Sequence, residues 1–328
     1  MSVFNGAAYL RTAIDSILAQ TFRDFEFIIV DDASTDDTPT ILNSYEDSRI
    51  VLLRNTQNEG LAASLNRTID TAHGTYIVRM DADDISTPDR LAVQIRYLNQ
   101  HQDIVLVGSY ARIIGSGVIM RQPTEPGEIA TSLLFRTSVI HPTAVFRRDF
   151  LNQYHLRYNP SFLQTQDYEL FTRIARLGKI ANIPRVLLHY RQHNQQTSSK
   201  KVVSQMESAR IIMRREFKAF GMEITEEELD TAIAVKRYHL KEIPGALVLL
   251  EAFLLKIDRT NQQTRRYDTK ALRRALGEVW LESVISLSRS GVEVREAFLR
   301  STLRRWITLT LRNMLRIARF LTLSTHIN

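Results

Sequence analysis

Three carboxylates fall within four residues at Asp81-Ala82-Asp83-Asp84. Like charges this close repel and raise one another's pKa unless a cation neutralises them. Hard oxygen ligands on a short turn suit Mg2+ or Mn2+, whose remaining positions take water and substrate phosphate. A solvated acidic turn at the start of a helix is the other reading of a bare D-x-D, and these residues alone leave both open. A second acidic pair stands at Asp31-Asp32, and Asp167 lies in Gln166-Asp167-Tyr168-Glu169-Leu170-Phe171, where a helix begins. Neither GxGxxG nor GxxxxGK[ST] occurs, so phosphate neutralisation falls to a metal and to side chains.

The elements that must carry these residues alternate. Tyr9–Gln20 reads as a helix with Leu10, Ile14, Ile17 and Leu18 on one face, and Phe25–Val30 is a β-prone run ending at Asp31. Ile50–Leu53 is another short strand, followed by a helix bearing Leu61, Leu65 and Ile69. Thr75–Met80 is a strand ending at the acidic triplet, with a helix behind it through Leu91, Ile95 and Leu98. Pro88 is expected at the first helical position there and Thr87 at its cap. This rhythm predicts a doubly wound, mainly parallel α/β sheet. Both acidic clusters then lie at the carboxyl edge of the strands, where ligands bind in open sheets. Further strands are expected at Ile104–Gly108, around His141-Pro142 within Val139–Phe146, and at Val186–Tyr190. From about residue 200 the chain is expected to be helical to its end, with breaks at Pro244-Gly245 and Thr260–Thr264.

The chain has 328 residues, 44% of them apolar, enough for a full core and two domains. Without cysteine there is no disulfide framework, zinc–cysteine site or thiol nucleophile. No charge-free stretch approaches the roughly 20 residues of a membrane-spanning helix, and Arg11 and Asp15 interrupt the first apolar region, against a signal peptide. Residues 1–200 hold 20 basic and 21 acidic side chains and residues 201–328 hold 23 and 15, so the net charge of +7 sits in the tail. No helix-turn-helix, zinc finger or aromatic RNA-binding pattern accompanies it, and nucleic acid is not an expected partner.

Val3-Phe4-Asn5-Gly6, Val30-Asp31-Asp32-Ala33-Ser34-Thr35-Asp36, Asn58–Asn66, Met80–Asp84, Gln166–Phe171 and Tyr190-Arg191-Gln192-His193 occur in that order. Together they closely resemble the family 2 glycosyltransferases, inverting enzymes with the GT-A fold. The resemblance covers about residues 1–200. It implies a Rossmann-like, GT-A type catalytic domain over 1–200, its first strand truncated ahead of Phe4-Asn5, and a helical C-terminal region over 201–328. It implies that Asp32 contacts the nucleoside with Asp31 in support, and that Asn5 and Asn58 line the nucleotide-sugar site. Asp83 and Asp81 are the implied metal-site residues, Asp83 as the direct ligand and Asp81 also as the ribose or sugar contact, and Asp167 is the implied general base. Arg191 and His193 match a loop that closes over the diphosphate, His193 with a metal contact. His141 beside Pro142 reads as structural or acceptor-side.

The implied reaction moves a hexose from a UDP- or dTDP-sugar to a hydroxyl of a glycan or lipid-linked acceptor, with Mg2+ or Mn2+, in the assembly of a surface polysaccharide. The expected setting is the cytoplasm, with peripheral contact at the inner face of the cell membrane. Two alternatives are a nucleotidyltransferase, which normally carries a basic Gly-rich loop, and a nucleotide-sugar-binding protein without catalysis. In the tail, helical spacing at about 100° per residue puts Arg304, Arg305, Arg312, Arg316 and Arg319 on one face opposite Leu303, Trp306, Ile307, Met314, Ile317 and Leu321. That division suits a helix lying on an anionic membrane, and equally a terminal helix packed on its own domain.

Overall fold

The computed structural model describes residues 1–192, 202–237, 240, 245–287 and 292–323. In chain order the strands are β1 (Ser2–Val3), β2 (Phe27–Asp31), β3 (Ile50–Arg54), β4 (Tyr76–Val78), β5 (Ile85–Ser86), β6 (Ile104–Ile113), β7 (Ile119–Met120), β8 (Val145–Arg147) and β9 (Lys179–Tyr190). Every residue of Phe-Ile-Ile-Val-Asp in β2 is buried, the continuous apolar run of a central parallel strand covered on both faces. It pairs in parallel with β1 and β3, Val30 standing opposite Ser2 on one side and Leu53 on the other. A parallel bridge from Ser2 to Asp81 joins this ladder to the continuation of β4. Beyond it, β8 runs antiparallel between β4 and β6, β9 is parallel to β6, and β5 is antiparallel to β9. The sheet is mixed, in the order β3-β2-β1-β4-β8-β6-β9-β5, with β7 antiparallel to β6.

The helices between these strands are α1 (Ala7–Leu18), α2 (Thr38–Asn43), α3 (Leu61–Thr71), α4 (Arg90–Gln100), α5 (Pro126–Ser132), α6 (Arg148–Gln153) and α7 (Gln166–Leu177). They cover both faces of the sheet. Neighbours Leu187 and Leu188 of β9 point to opposite faces: Leu188 joins Leu10, Ile14, Phe27 and Ile29, while Leu187 joins Leu98, Ile104 and Val145. Each such fully buried side chain contributes about 1.5–3 kcal/mol.

The described residues form two compact units, Met1–Ile129 with Thr137–Gln205, and Ala130–Arg136 with Met206–Asn328. The second is helical: α8 (Val202–Ala219), α9 (Glu226–Arg237), α10 (Ala246–Thr264), α11 (Thr269–Ser286), α12 (Val292–Arg300) and α13 (Leu311–Leu323). Its core contains Phe135, Phe217 and Phe253, whose ring centroids lie 5.4–6.2 Å apart.

Three expectations from sequence need correcting. Helix α4 begins at Arg90 rather than Pro88, because Thr87 N–H still donates to Leu187 O (3.0 Å) and holds the chain extended beside β9. The polar Thr260–Thr264 segment is the end of a helix, not a break. Asn261 there is buried and binds both backbone groups of Tyr267, so it shapes the turn that follows. The terminal arginines do not share one helix: Ser301 opens a 3-10 turn at Thr302–Trp306, and α13 starts only at Leu311. Arg304 and Arg305 therefore lie off the arc of Arg312, Arg316 and Arg319. The Trp306 backbone lies against Gly277, where a Cβ would come within 2.6 Å of it.

Candidate active site

The parallel pairing brings the carboxyl ends of β1, β2 and β4 to one edge. Two loops there, residues 4–7 and 32–38, are stitched together. Asn5 Oδ1 accepts from Thr35 N–H (2.8 Å), Asn5 N–H donates to Ser34 Oγ (2.9 Å), and Ala7 N–H donates to Asp36 Oδ2 (3.1 Å). Asn5 and Ala33 both hold positive φ, 51° and 61°, a conformation seldom adopted outside glycine. Such strain concentrates at ligand sites. Phe4 is exposed beside them.

Asp31 and Asp32 are both buried, and their oxygens are engaged by the protein. Asp31 accepts from Ser34 N–H (2.9 Å) and from Arg54 Nε (3.0 Å). Asp32 accepts from Asn55 Nδ2 (2.6 Å), Glu59 N–H (2.9 Å) and Gly60 N–H (2.9 Å). A carboxylate has about four acceptor positions, so Asp32 keeps capacity for one more donor while it wraps the 55–60 loop. Gly60, at φ 87° and ψ 163°, supplies the backbone conformation that lets its N–H reach Asp32. Asn58 is exposed on this loop. Sequence reading missed Asn55, which is buried at the end of β3 and bonded to Asp32 and Ser64. Its signal was there: an Asn directly after a strand of the same sheet.

Asp81, Asp83 and Asp84 form the acidic centre, with one oxygen of each within 4.8 Å of the others. Their surroundings differ. Asp81 is paired with the buried guanidinium of Arg79. Asp84 is fully buried, its Oδ1 accepting from Arg191 N–H (2.8 Å) and its Oδ2 without a hydrogen-bond partner among the described residues. Burial, with Asp81 and Asp83 adding to it, pushes the Asp84 carboxyl up to about 8. Burial also raises Asp81, against the pull of Arg79. Arg191 runs beneath the triplet, donating from Nε to the Asp83 carbonyl (2.8 Å) and lying 4.3 Å over the Tyr9 ring. A buried carboxylate oxygen with no partner, beside two further carboxylates, is a donor set for a hard divalent cation.

Asp167 is half-buried in the first turn of α7. The cap position belongs to Thr165, so capping does not account for Asp167. Tyr158 connects it to the triplet: burial pushes the Tyr158 hydroxyl up, and Asp167 and Asp81 push the same way while Arg79 opposes them. Tyr158 is held by Asn66, which binds both its backbone groups (2.8 Å each), and its hydroxyl lies 2.8 Å from His141 Nε2. His141 packs edge-on against Phe171 at 6.0 Å, and burial holds its imidazole well below the usual range, neutral. Arg79, Tyr158 and Asn66 were not singled out from sequence. His193 lies outside the described residues.

A mixed sheet whose parallel strands end at this acidic edge is that of a GT-A glycosyltransferase. The chain belongs to glycosyl transferase family 2, whose model matches residues 1–173. It is 33% identical over 225 residues to an uncharacterised glycosyltransferase of Haemophilus influenzae, across 64% of this chain and 70% of that protein. It is 36% identical over 156 residues to the putative glycosyltransferase EpsE of Bacillus subtilis, across 45% and 54%. Among solved structures it resembles S. aureus TarS 1-349 in complex with UDP-GlcNAc, with a TM-score of 0.59 at 16% identity over 91% of this chain and 90% of that one. It also resembles mannosyltransferase PcManGT from Pyrobaculum calidifontis in complex with GDP-Man and Mn2+, with a TM-score of 0.50 at 18% identity over 98% and 85%. At such identities the last two show the fold alone. Among the described residues no helix is long and apolar enough to cross a membrane.

Proposed function

We propose that the protein transfers a hexose from a nucleoside diphosphate sugar to an acceptor hydroxyl by a single inverting displacement. The observation that carries this reading is the close grouping of Asp81, Asp83 and Asp84 after β4, with Asp167 acting, as Asp81 does, on the Tyr158 hydroxyl. A proton acceptor and a cation-binding set then border one site. Asp83 and the unpartnered oxygen of Asp84 are the groups that hold Mg2+ or Mn2+. When bound, the ion supplies charge stabilisation for the departing diphosphate. Asp81 serves the ribose or the sugar. The stitched loops of Asn5 and Asp31–Asp36, with the exposed Phe4 ring, receive the nucleoside, and Asn58 and Arg191 flank the donor.

The acceptor oxygen attacks the anomeric carbon, the bond from that carbon to the phosphate oxygen breaks, and the hydroxyl proton passes to Asp167. General-base assistance of this kind contributes about 10²–10⁴-fold. A UDP- or dTDP-sugar is the proposed donor. TarS was solved with UDP-GlcNAc and PcManGT with GDP-Man, so UDP- and GDP-sugars are the comparison to run. The proposed acceptor is a growing surface glycan or its lipid-linked precursor. The second unit supports contact with an anionic membrane: Leu309, Leu311, Met314 and Leu315 are exposed, with Arg312 and Arg319 exposed among them. Arg316 is withdrawn from that face, 3.8 Å from Glu278.

The test pairs calorimetry, using UDP-sugars and GDP-sugars with Mn2+, with a turnover assay. Asp83→Ala is expected to lose metal-dependent donor binding and transfer together. Asp167→Asn is expected to keep donor affinity and lower kcat by about 10²–10⁴-fold, as removal of a group used only in the transition state does. Wild-type turnover in Asp167→Asn would leave the reaction without this base.

A further inference from the structure

Two buried guanidinium groups lie under the acidic centre, and their bonding differs. Arg90 has no exposed surface and spends its donors on neutral acceptors: Gln94 Oε1 (2.9 Å), Ser86 Oγ (3.1 Å) and the carbonyl of Arg79 (2.7 Å). It holds backbone. Arg79, 5% exposed, instead aims its guanidinium at the acids. Its Nη2 pairs with Asp81 Oδ1, and its Nε and Nη1 are buried without a hydrogen-bond partner among the described residues.

The Arg79 backbone is fixed from both sides. Its N–H donates to Ala144 O (2.9 Å) and its carbonyl takes the Arg90 bond, so the guanidinium stays under the triplet. The Asp81 backbone is fixed too, by the bridge to Ser2. Of the other groups near Arg79, His141 is neutral and Tyr158 is held protonated by burial, which leaves the charge of Arg79 to Asp81 and, behind it, Asp84. With Asp83 and Asp84 turned to a divalent cation, Arg79 is the direct partner of Asp81.

We propose that Arg79 is a positioning residue that withholds Asp81 from the metal and presents it to the nucleotide-sugar. This rests on the transferase reading above and adds the residue that sets Asp81 apart within the triplet. Asp83 and Asp84 serve the ion, and Asp81, oriented by Arg79, serves a hydroxyl of the donor.

The experiment is an Mn2+ titration followed by electron paramagnetic resonance, with saturating UDP and separately with GDP, on the full chain. In Asp83→Asn, Mn2+ binding should disappear. In Asp81→Asn it should weaken less than tenfold. In Arg79→Gln, where Asp81 is released to the ion, it should tighten at least tenfold, while the KM for the sugar donor rises more than tenfold. Arg79→Lys should restore Mn2+ affinity to within threefold of wild type. Loss of Mn2+ binding in Asp81→Asn as complete as in Asp83→Asn would overturn the proposal, and this holds even if Arg79→Gln fails to fold. Unchanged Mn2+ affinity in a folded Arg79→Gln would overturn it as well. Retained Mn2+ binding in Asp83→Asn would instead strike at the metal site of the transferase reading, so the two failures are distinct.

Discussion

Asp84→Asn should stabilise the metal-free protein, and the gain should grow with pH. In the folded chain Asp84 titrates at about 8, against 3.8 for an ordinary aspartate, because burial and the carboxylates of Asp81 and Asp83 disfavour its charge. Its folded pKa is raised, so between those values the folded state holds a proton that the unfolded state has released. Stability then falls as pH rises through this window. At pH 7 the difference sets an upper bound of about 4 kcal/mol, and relaxation of the surroundings brings the expected gain to about 1–3 kcal/mol. Asparagine keeps the Oδ1 acceptor for Arg191 N–H and replaces the unpartnered Oδ2 with a neutral donor facing the two remaining carboxylates. Urea denaturation with chelator at pH 5.5 and 7.5 measures the effect. The variant should be more stable at both values and by a wider margin at 7.5. Added Mn2+ should raise the melting temperature of the wild type more at 7.5 than at 5.5. A margin that stays constant or narrows with pH would refute the reasoning.

Gly60→Ala should cost about 1–3 kcal/mol, because φ 87° with ψ 163° is essentially a glycine conformation while no atom lies within 4 Å to clash. A neutral or stabilising result in urea denaturation would show that the loop held by Asp32 can change its backbone freely. Replacing Arg312 and Arg319 with Gln should reduce co-sedimentation with anionic vesicles, and added salt should do the same to the wild type. Equal binding before and after the change would assign α13 to packing within its own unit.

The strand ends were legible in the sequence because one local rule governs them: an apolar β-run followed by acidic residues puts carboxylates at the edge of a parallel sheet. That rule located Asp31, Asp32, Asp81, Asp83 and Asp84, and the amphipathic spacing of Leu10, Ile14 and Ile17 located α1. What each carboxylate is bonded to depends on register, which no local pattern carries. Asp32 reads as a ligand contact, yet it also holds the 55–60 loop, because parallel pairing sets Asp31 opposite Arg54 and so brings Asn55 alongside. Arg79 reads as a polar interruption of an apolar strand. Its meaning comes from Ala144, just ahead of β8, which takes its N–H, and from α4, whose Arg90 takes its carbonyl. The same limit misplaced the tail: a helical wheel assumes unbroken helix, and Ser301 with the 302–306 turn breaks it. The acidic centre is therefore more than a short motif. The D-x-D spacing brings the charges together, while Arg79, two residues ahead of it, and Arg191, from beyond β9, give its carboxylates different partners. Under the proposed division, that inequality lets Asp81 serve the sugar while Asp83 and Asp84 serve a cation.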